Sequence, residues 1–130
     1  MPKSKVAVVK TSPRTIVDDY AKVMDLADYD LSLSKSDDLI IKLNLSWTKY
    51  FPACSSQPWQ VEGVVAKLMA DGFRPEKVIP VENKTVVTNP RKGAINNLWM
   101  PILNHYGLDF KPLPEQEWTV YRFKSKLLKL

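Results

Sequence analysis

Apolar positions along this chain follow two rhythms, and their alternation predicts an α/β fold. Val6 to Val9 form a short, continuous, β-branched run, the pattern of a strand covered on both faces. Ile16, Tyr20, Val23 and Ala27 then recur at helical spacing. A helix over 13–27 is expected, capped by Ser12, with Pro13 in its first turn and Asp18 and Asp19 near its positive end. A polar loop, Tyr29 to Asp37, leads to a second strand, Leu39 to Leu45, apolar except for Lys42 and Asn44.

The clearest helical signal comes next. Val61, Val64, Val65, Leu68 and Met69 keep the spacing i, i+3, i+4, i+7, i+8, with Ser56 as N-cap, Pro58 in the first turn and Gly72 at the C-terminal cap. Lys77 to Val81 reads as a third strand, in which Pro80 removes one backbone donor. A long polar connection, 82–97, precedes a helix marked by Leu98, Trp99, Ile102, Leu103 and Tyr106 and closed by Gly107, with Pro101 either in its first turn or kinking it. Asp109 to Leu113 and Trp118 to Phe123 read as fourth and fifth strands. Strands alternating with helices predict a Rossmann-like, three-layer open sheet of about five strands and three helices, mostly parallel with an antiparallel edge.

Composition narrows the class. The chain has 130 residues, enough for one domain with a real core, with 45% hydrophobic and 25% charged residues. It contains no apolar run of about 18 residues and no secretory leader pattern, so a cytoplasmic protein that does not enter the membrane is expected. Cys54 is the only cysteine and His105 the only histidine. The chain alone therefore supplies no disulfide, no Cys-based zinc or iron–sulfur site and no expected cofactor, and a buried, unreactive Cys54 is the expectation. The net charge of +5 falls wholly in residues 66–130, which hold eleven Lys or Arg against six Asp or Glu. Arg122, Lys124, Lys126 and Lys129 crowd the end, as a nucleic-acid footprint or as a solvated strand.

Ligands of open α/β sheets bind beyond the carboxyl ends of the strands, which selects two long connections. After the second strand, Lys42 and Asn44 share a face, and Ser55 and Ser56 open the next helix, where free N–H groups attract anions. The alternative is that Ser56 only caps and Lys42 only pairs with an acid. Trp47, Tyr50 and Phe51 read as loop packing or as a stacking surface. After the third strand, Asn83 and Thr85 are candidate ligand contacts, and Glu82 with Lys84 a candidate acid/base pair or a plain ion pair. Arg91 and Lys92 follow, and Asn89-Pro90 and Gly93 read as turn chemistry. Neither a phosphate loop nor a dinucleotide fingerprint is present, and no metal site is expected.

The order IIKLNLSW, SSQPWQVEGVVAKLMADGF, KVIPVENKT resembles the opening of domain-of-unknown-function family 362. That family opens with a strand carrying Lys-Pro-Asn, a loop, a Pro-initiated helix and a third strand. Lys42 and Asn44 match its lysine and asparagine, and Leu43 stands where the proline would be. The resemblance implies that residues 1–130 are the amino-terminal portion of a longer α/β domain. Some relatives carry ferredoxin-like iron–sulfur modules, which one cysteine does not build. The interrupted apolar–basic ending, SKLLKL, also has the look of a fragment. The function expected is part of a small-molecule or anion site. The alternatives are a nucleic-acid module carried by the basic second half, or an assembly piece pairing through an open sheet edge.

Overall fold

A computed structural model describes residues 5–124. The elements are α1 (Ile16–Leu26), β1 (Leu39–Lys42), α2 (Pro58–Ala70), β2 (Val78–Glu82), α3 (Pro90–Asn96), α4 (Trp99–His105) and β3 (Lys111–Pro112), with short 3-10 turns at Tyr29–Leu31, Pro75–Lys77 and Leu113–Glu115. The class is α/β, and the three strands form one parallel sheet in the order β1-β2-β3. Leu39 pairs with Val78 and Ile41 with Pro80, while Val81 pairs with Lys111.

The core lies on one face of this sheet. Val61, Val65 and Leu68 of α2 and Trp99 and Leu103 of α4 join Leu43, Leu45, Val78, Phe73 and Phe110 in one buried cluster. Leu39 and Ile41 reach the same cluster from β1. Burying a Val or Leu this fully is worth about 1.5–3 kcal/mol each, so the helical periodicity of α2 is paid back mainly in tertiary packing. Trp99, with no exposed surface, meets Phe110 edge to face at 6.3 Å and donates its ring N–H to Ser56 O at 2.7 Å. Ile40, on the other face, stays exposed. The described residues make a three-stranded sheet with four helices, where the hydrophobic pattern implies about five strands and three helices.

Pro80 is tolerated inside the central strand for a geometric reason. Val81 turns its carbonyl to β1, where Leu43 N–H meets it at 3.0 Å. Pro80 therefore turns its donorless nitrogen toward β3, where pairing begins only at Val81.

Four strand expectations change. The second strand, expected over Leu39 to Leu45, ends at Lys42, and Asn44 bonds to Ser56 of the following loop instead. Val6 and Val8 are 82% and 83% exposed and residues 5–12 form no strand, so the β-branched run has side chains suited to a sheet but no partner edge. Val9 instead lines a hollow of about 190 Å³ with Ile16, Asp19, Tyr20 and Val23 of α1. The fourth strand shrinks to Lys111–Pro112, because Pro112 and Pro114 bracket the turn that ends it. Trp118 to Phe123 pairs with no described strand, and Val120 is 94% exposed. No antiparallel edge forms among the described residues. The last basic residues, Lys126 and Lys129, and the whole of SKLLKL lie outside them.

Helix boundaries also shift. Residues 90–96, read as turn and polar connection, form α3: Asn89 is its N-cap, accepting from Lys92 N–H at 2.9 Å, and Pro90 its first residue. The cap of α1 is Thr15, not Ser12, and that of α2 is Gln57, not Ser56. The Gln60 side chain returns a bond to Gln57 N–H at 2.7 Å, the reciprocal half of a capping box. Gly72 and Gly107 do close α2 and α4, with φ of 85° and 71°.

α1 lies across α2 at Gly63, where an added Cβ would stand 2.7 Å from Tyr20 Cβ. Beside this crossing, Lys67 bridges Asp25 at 2.7 Å and Asp71 at 3.0 Å, and Tyr29 donates to Asp71. The two carboxylates, Asp25 first, push the Lys67 amine well up, while burial and then Asp71 raise the Tyr29 phenol to about 12. Because the stem of Tyr20 cannot swing aside, Gly63→Ala is expected to lower stability by about 1–3 kcal/mol. Urea titration should show a lower midpoint with an unchanged slope. At the start of α1, hydrogen bonds from Lys22 and then Thr15 hold the Asp19 carboxyl down at about 2. A depressed carboxyl stabilises the fold above its unfolded value and loses that contribution as pH falls. Melting temperature should therefore drop between about pH 4 and pH 2, and Asp19→Asn should flatten that part of the profile.

Candidate functional site

The carboxyl ends of β1 and β2 are organised around Glu82, 4% exposed. One carboxylate oxygen accepts from Lys42 Nζ at 2.6 Å and from its neighbour Asn83 N–H at 2.6 Å. The other accepts from Leu45 N–H at 2.7 Å. A buried carboxylate needs such donors, and here they come from both strand exits. Lys42 also donates to Leu43 O at 2.6 Å, and its side chain remains 55% exposed. It edges a shallow hollow of about 240 Å³ lined by Tyr20, Leu43, Ser56, Gln60 and Val64. Glu82, expected to pair with Lys84, pairs instead with Lys42, and Lys84 stays exposed in the next connection.

Between β1 and α2 the chain makes a loop with a pinched neck. Asn44 and Ser56 are joined twice: Asn44 N–H donates to the Ser56 hydroxyl and Ser56 N–H to Asn44 O, each at 2.9 Å. Ser46 N–H donates to the buried Ser55 hydroxyl at 3.3 Å, and Cys54 O accepts from the Ser46 hydroxyl and the Asn44 amide. Asn44, Ser55 and Ser56, singled out for a ligand, are thus engaged with one another across the neck. Cys54 itself is exposed, against the expectation of burial, because the neck uses its carbonyl and leaves its side chain outside. His105 lies elsewhere, at the end of α4.

Beyond the neck, Trp47, Tyr50 and Phe51 are each roughly half exposed around Lys49. Trp47 and Phe51 meet edge to face at 6.1 Å, and the Tyr50 hydroxyl donates to Gln57 Oε1 at 3.2 Å. The rings are braced by one another and by the start of α2 while keeping a free surface.

The β2 exit is a second compact loop. Thr85 N–H donates to the Thr88 hydroxyl at 2.8 Å, and Asn83 Oδ1 accepts from Lys84 N–H at 2.8 Å. Thr48 laces the two loops: its hydroxyl accepts from Asn89 N–H at 2.8 Å and donates to Val87 O, and its carbonyl accepts from the Asn96 amide at 2.9 Å. Gly93 of α3 completes the contact, since a Cβ there would lie 2.4 Å from Leu45 Cδ2. Sequence patterns did not single out Thr48, because its role depends on a loop about forty residues away.

Charge sets the character of this face. Residues 43–61 and 83–108 contain Lys49, Lys84, Arg91 and Lys92 and no acidic residue. Arg91 is taken by Glu115, beyond β3, at 2.5 Å, which raises its already high pKa. Lys49, Lys84 and Lys92 are exposed and make no ion pair among the described residues. The same residues bring no three His, Cys, Asp or Glu side chains together in a metal-holding group, and none of their helices is long and apolar enough to cross a membrane.

Comparison with protein-family models, with curated proteins and with solved structures finds no match for this chain.

The arrangement makes Glu82 the tie between the loops. Glu82→Ala leaves the Leu45 and Asn83 N–H groups without their acceptor and is expected to cost about 2–4 kcal/mol. Glu82→Gln keeps an acceptor and should cost about 1–2 kcal/mol. Urea denaturation monitored by far-UV circular dichroism ranks the pair, and equal, negligible losses would remove Glu82 from this role.

Proposed function

We propose that the carboxyl end of the sheet binds an anionic ligand, presented to the two laced loops. The observation that supports this most is the charge balance: the exits of β1 and β2 carry no acid of their own, Glu82 is buried against Lys42 and two amides, and Lys49, Lys84 and Lys92 remain exposed. Anions are drawn to such a surface by the summed field.

Within this reading the residues divide their work. Asn44, Ser55 and Ser56 hold the neck of the first loop, Asn83 and Thr85 shape the second, and Lys42 anchors Glu82 while offering its exposed side to the hollow beside Gln60. Lys49, Lys84 and Lys92 supply the attraction. The resemblance to domain-of-unknown-function family 362 belongs to the same proposal: Lys42 and Asn44, its matching residues, flank the end of β1. So do a cytoplasmic setting and a place at the amino-terminal side of a larger α/β domain.

Thermal melts in inorganic phosphate, pyrophosphate and citrate test the reading. A bound anion at 100 times its Kd adds about 2.7 kcal/mol, so a clear rise in melting temperature is expected. Exchanging Lys49, Lys84 and Lys92 together for Gln should abolish most of the rise. No shift with any of the three anions would overturn the proposal.

A further inference from the structure

We propose that the anion is a single-stranded nucleic acid, held along the two laced loops with bases stacked on Trp47 and its neighbours; this rests on the anion reading above. The first argument is the spread of the cations. Lys49 lies in the loop after β1, Lys84 in the loop after β2, and Lys92 on α3, while the hollow at the strand ends holds only Lys42, already paired. A polyanion spanning both loops meets them together, and Thr48 keeps the loops adjacent.

The second argument is the ring surface set among those charges. In Trp47-Thr48-Lys49-Tyr50-Phe51, three half-exposed rings surround one lysine. Their orientation is supported by the Trp47–Phe51 contact, by Tyr50 on Gln57 and by the neck bonds of Asn44, Ser46 and Cys54. Ordered aromatic faces interleaved with cations match the stacking and charge requirements of unpaired nucleotides. A duplex hides its base faces and would use only the lysines. Val86 and Val87 of the second loop are exposed as well, and the Val87 carbonyl accepts from Thr48, the residue beside Trp47.

Fluorescence anisotropy with labelled (dT)12 tests the proposal, with inorganic polyphosphate and phosphatidylserine vesicles as competitors. The oligonucleotide should bind, with log affinity falling against log salt at a slope of about −2 if three lysines each neutralise a phosphate. Exchanging Lys49, Lys84 and Lys92 for Gln should flatten that slope. Trp47→Ala should weaken (dT)12 by about 5- to 150-fold and leave polyphosphate binding unchanged. Trp47→Phe should retain most of the affinity, and it carries the ring test if Trp47→Ala does not fold. Polyphosphate binding as tight as (dT)12, with no effect of Trp47, would overturn the nucleic-acid assignment and leave the anion reading standing. Preference for the vesicles would also overturn it. Binding of none of the three would overturn both.

Discussion

Everything at the carboxyl end of this sheet depends on one buried carboxylate. Glu82 ends β2, and its oxygens collect Lys42 from β1, Leu45 from the following loop and Asn83 from its own. A carboxylate taken out of water is costly unless its lone pairs are filled, so the donors are drawn in and the two strand exits are held at fixed separation. Removing a charge from solvent here also removes it from the surface. The exits of β1 and β2 become positive because their one acid, Glu82, is consumed internally and residues 43–61 and 83–108 carry no other; beyond β3, Glu115 is taken up by Arg91.

The loops built on that tie are stiff despite their length. The first closes its neck with bonds among Asn44, Ser46, Cys54 and Ser56, the second closes on Thr85 and Thr88, and Thr48 joins them. Gly93 lets α3 press against Leu45, the residue whose N–H binds Glu82. Core packing and surface chemistry are therefore coupled through a few atoms: Leu45 is buried among Trp99 and Val61 on one side and hydrogen-bonded to the anchoring acid on the other. Half-exposed aromatic rings can be displayed on such a loop because their backbone is already satisfied.

Local pattern made α2 legible in detail, because its spacing, Pro58 and Gly72 all point the same way. It located β1 and β2 and the connections where a site would lie. It misplaced what depends on partners. Val6 to Val9 and Trp118 to Phe123 have strand composition, yet β structure needs a neighbouring edge, and none of the described strands offers them one. α3 is hidden in the pattern because its buried side, Pro90, Gly93 and Ala94, carries no large apolar residue and its one large apolar residue, Ile95, faces out; the helix is stabilised by the Asn89 cap and by contact with Leu45. For the site, the alternative in which Lys42 only pairs with an acid is the one the structure shows; that acid is Glu82, which takes Lys42 as its partner in place of Lys84. Ser55 and Ser56, read as ligand contacts or a helix cap, hold the loop neck.

By itself, the sequence determined the α/β class, the most regular helix, the glycine helix ends and the absence of acids from 43–61 and 83–108, since each is local or compositional. The mostly parallel pairing is also expected from the alternation of strands and helices, but tertiary structure alone decided the order β1-β2-β3 and which face carries the main buried cluster. It alone decided that Glu82 turns inward to Lys42 and that Thr48 binds the two loops. These are contacts between residues about forty positions apart. Such contacts are chosen by burial and hydrogen-bond satisfaction across the whole core, which no short window of residues encodes.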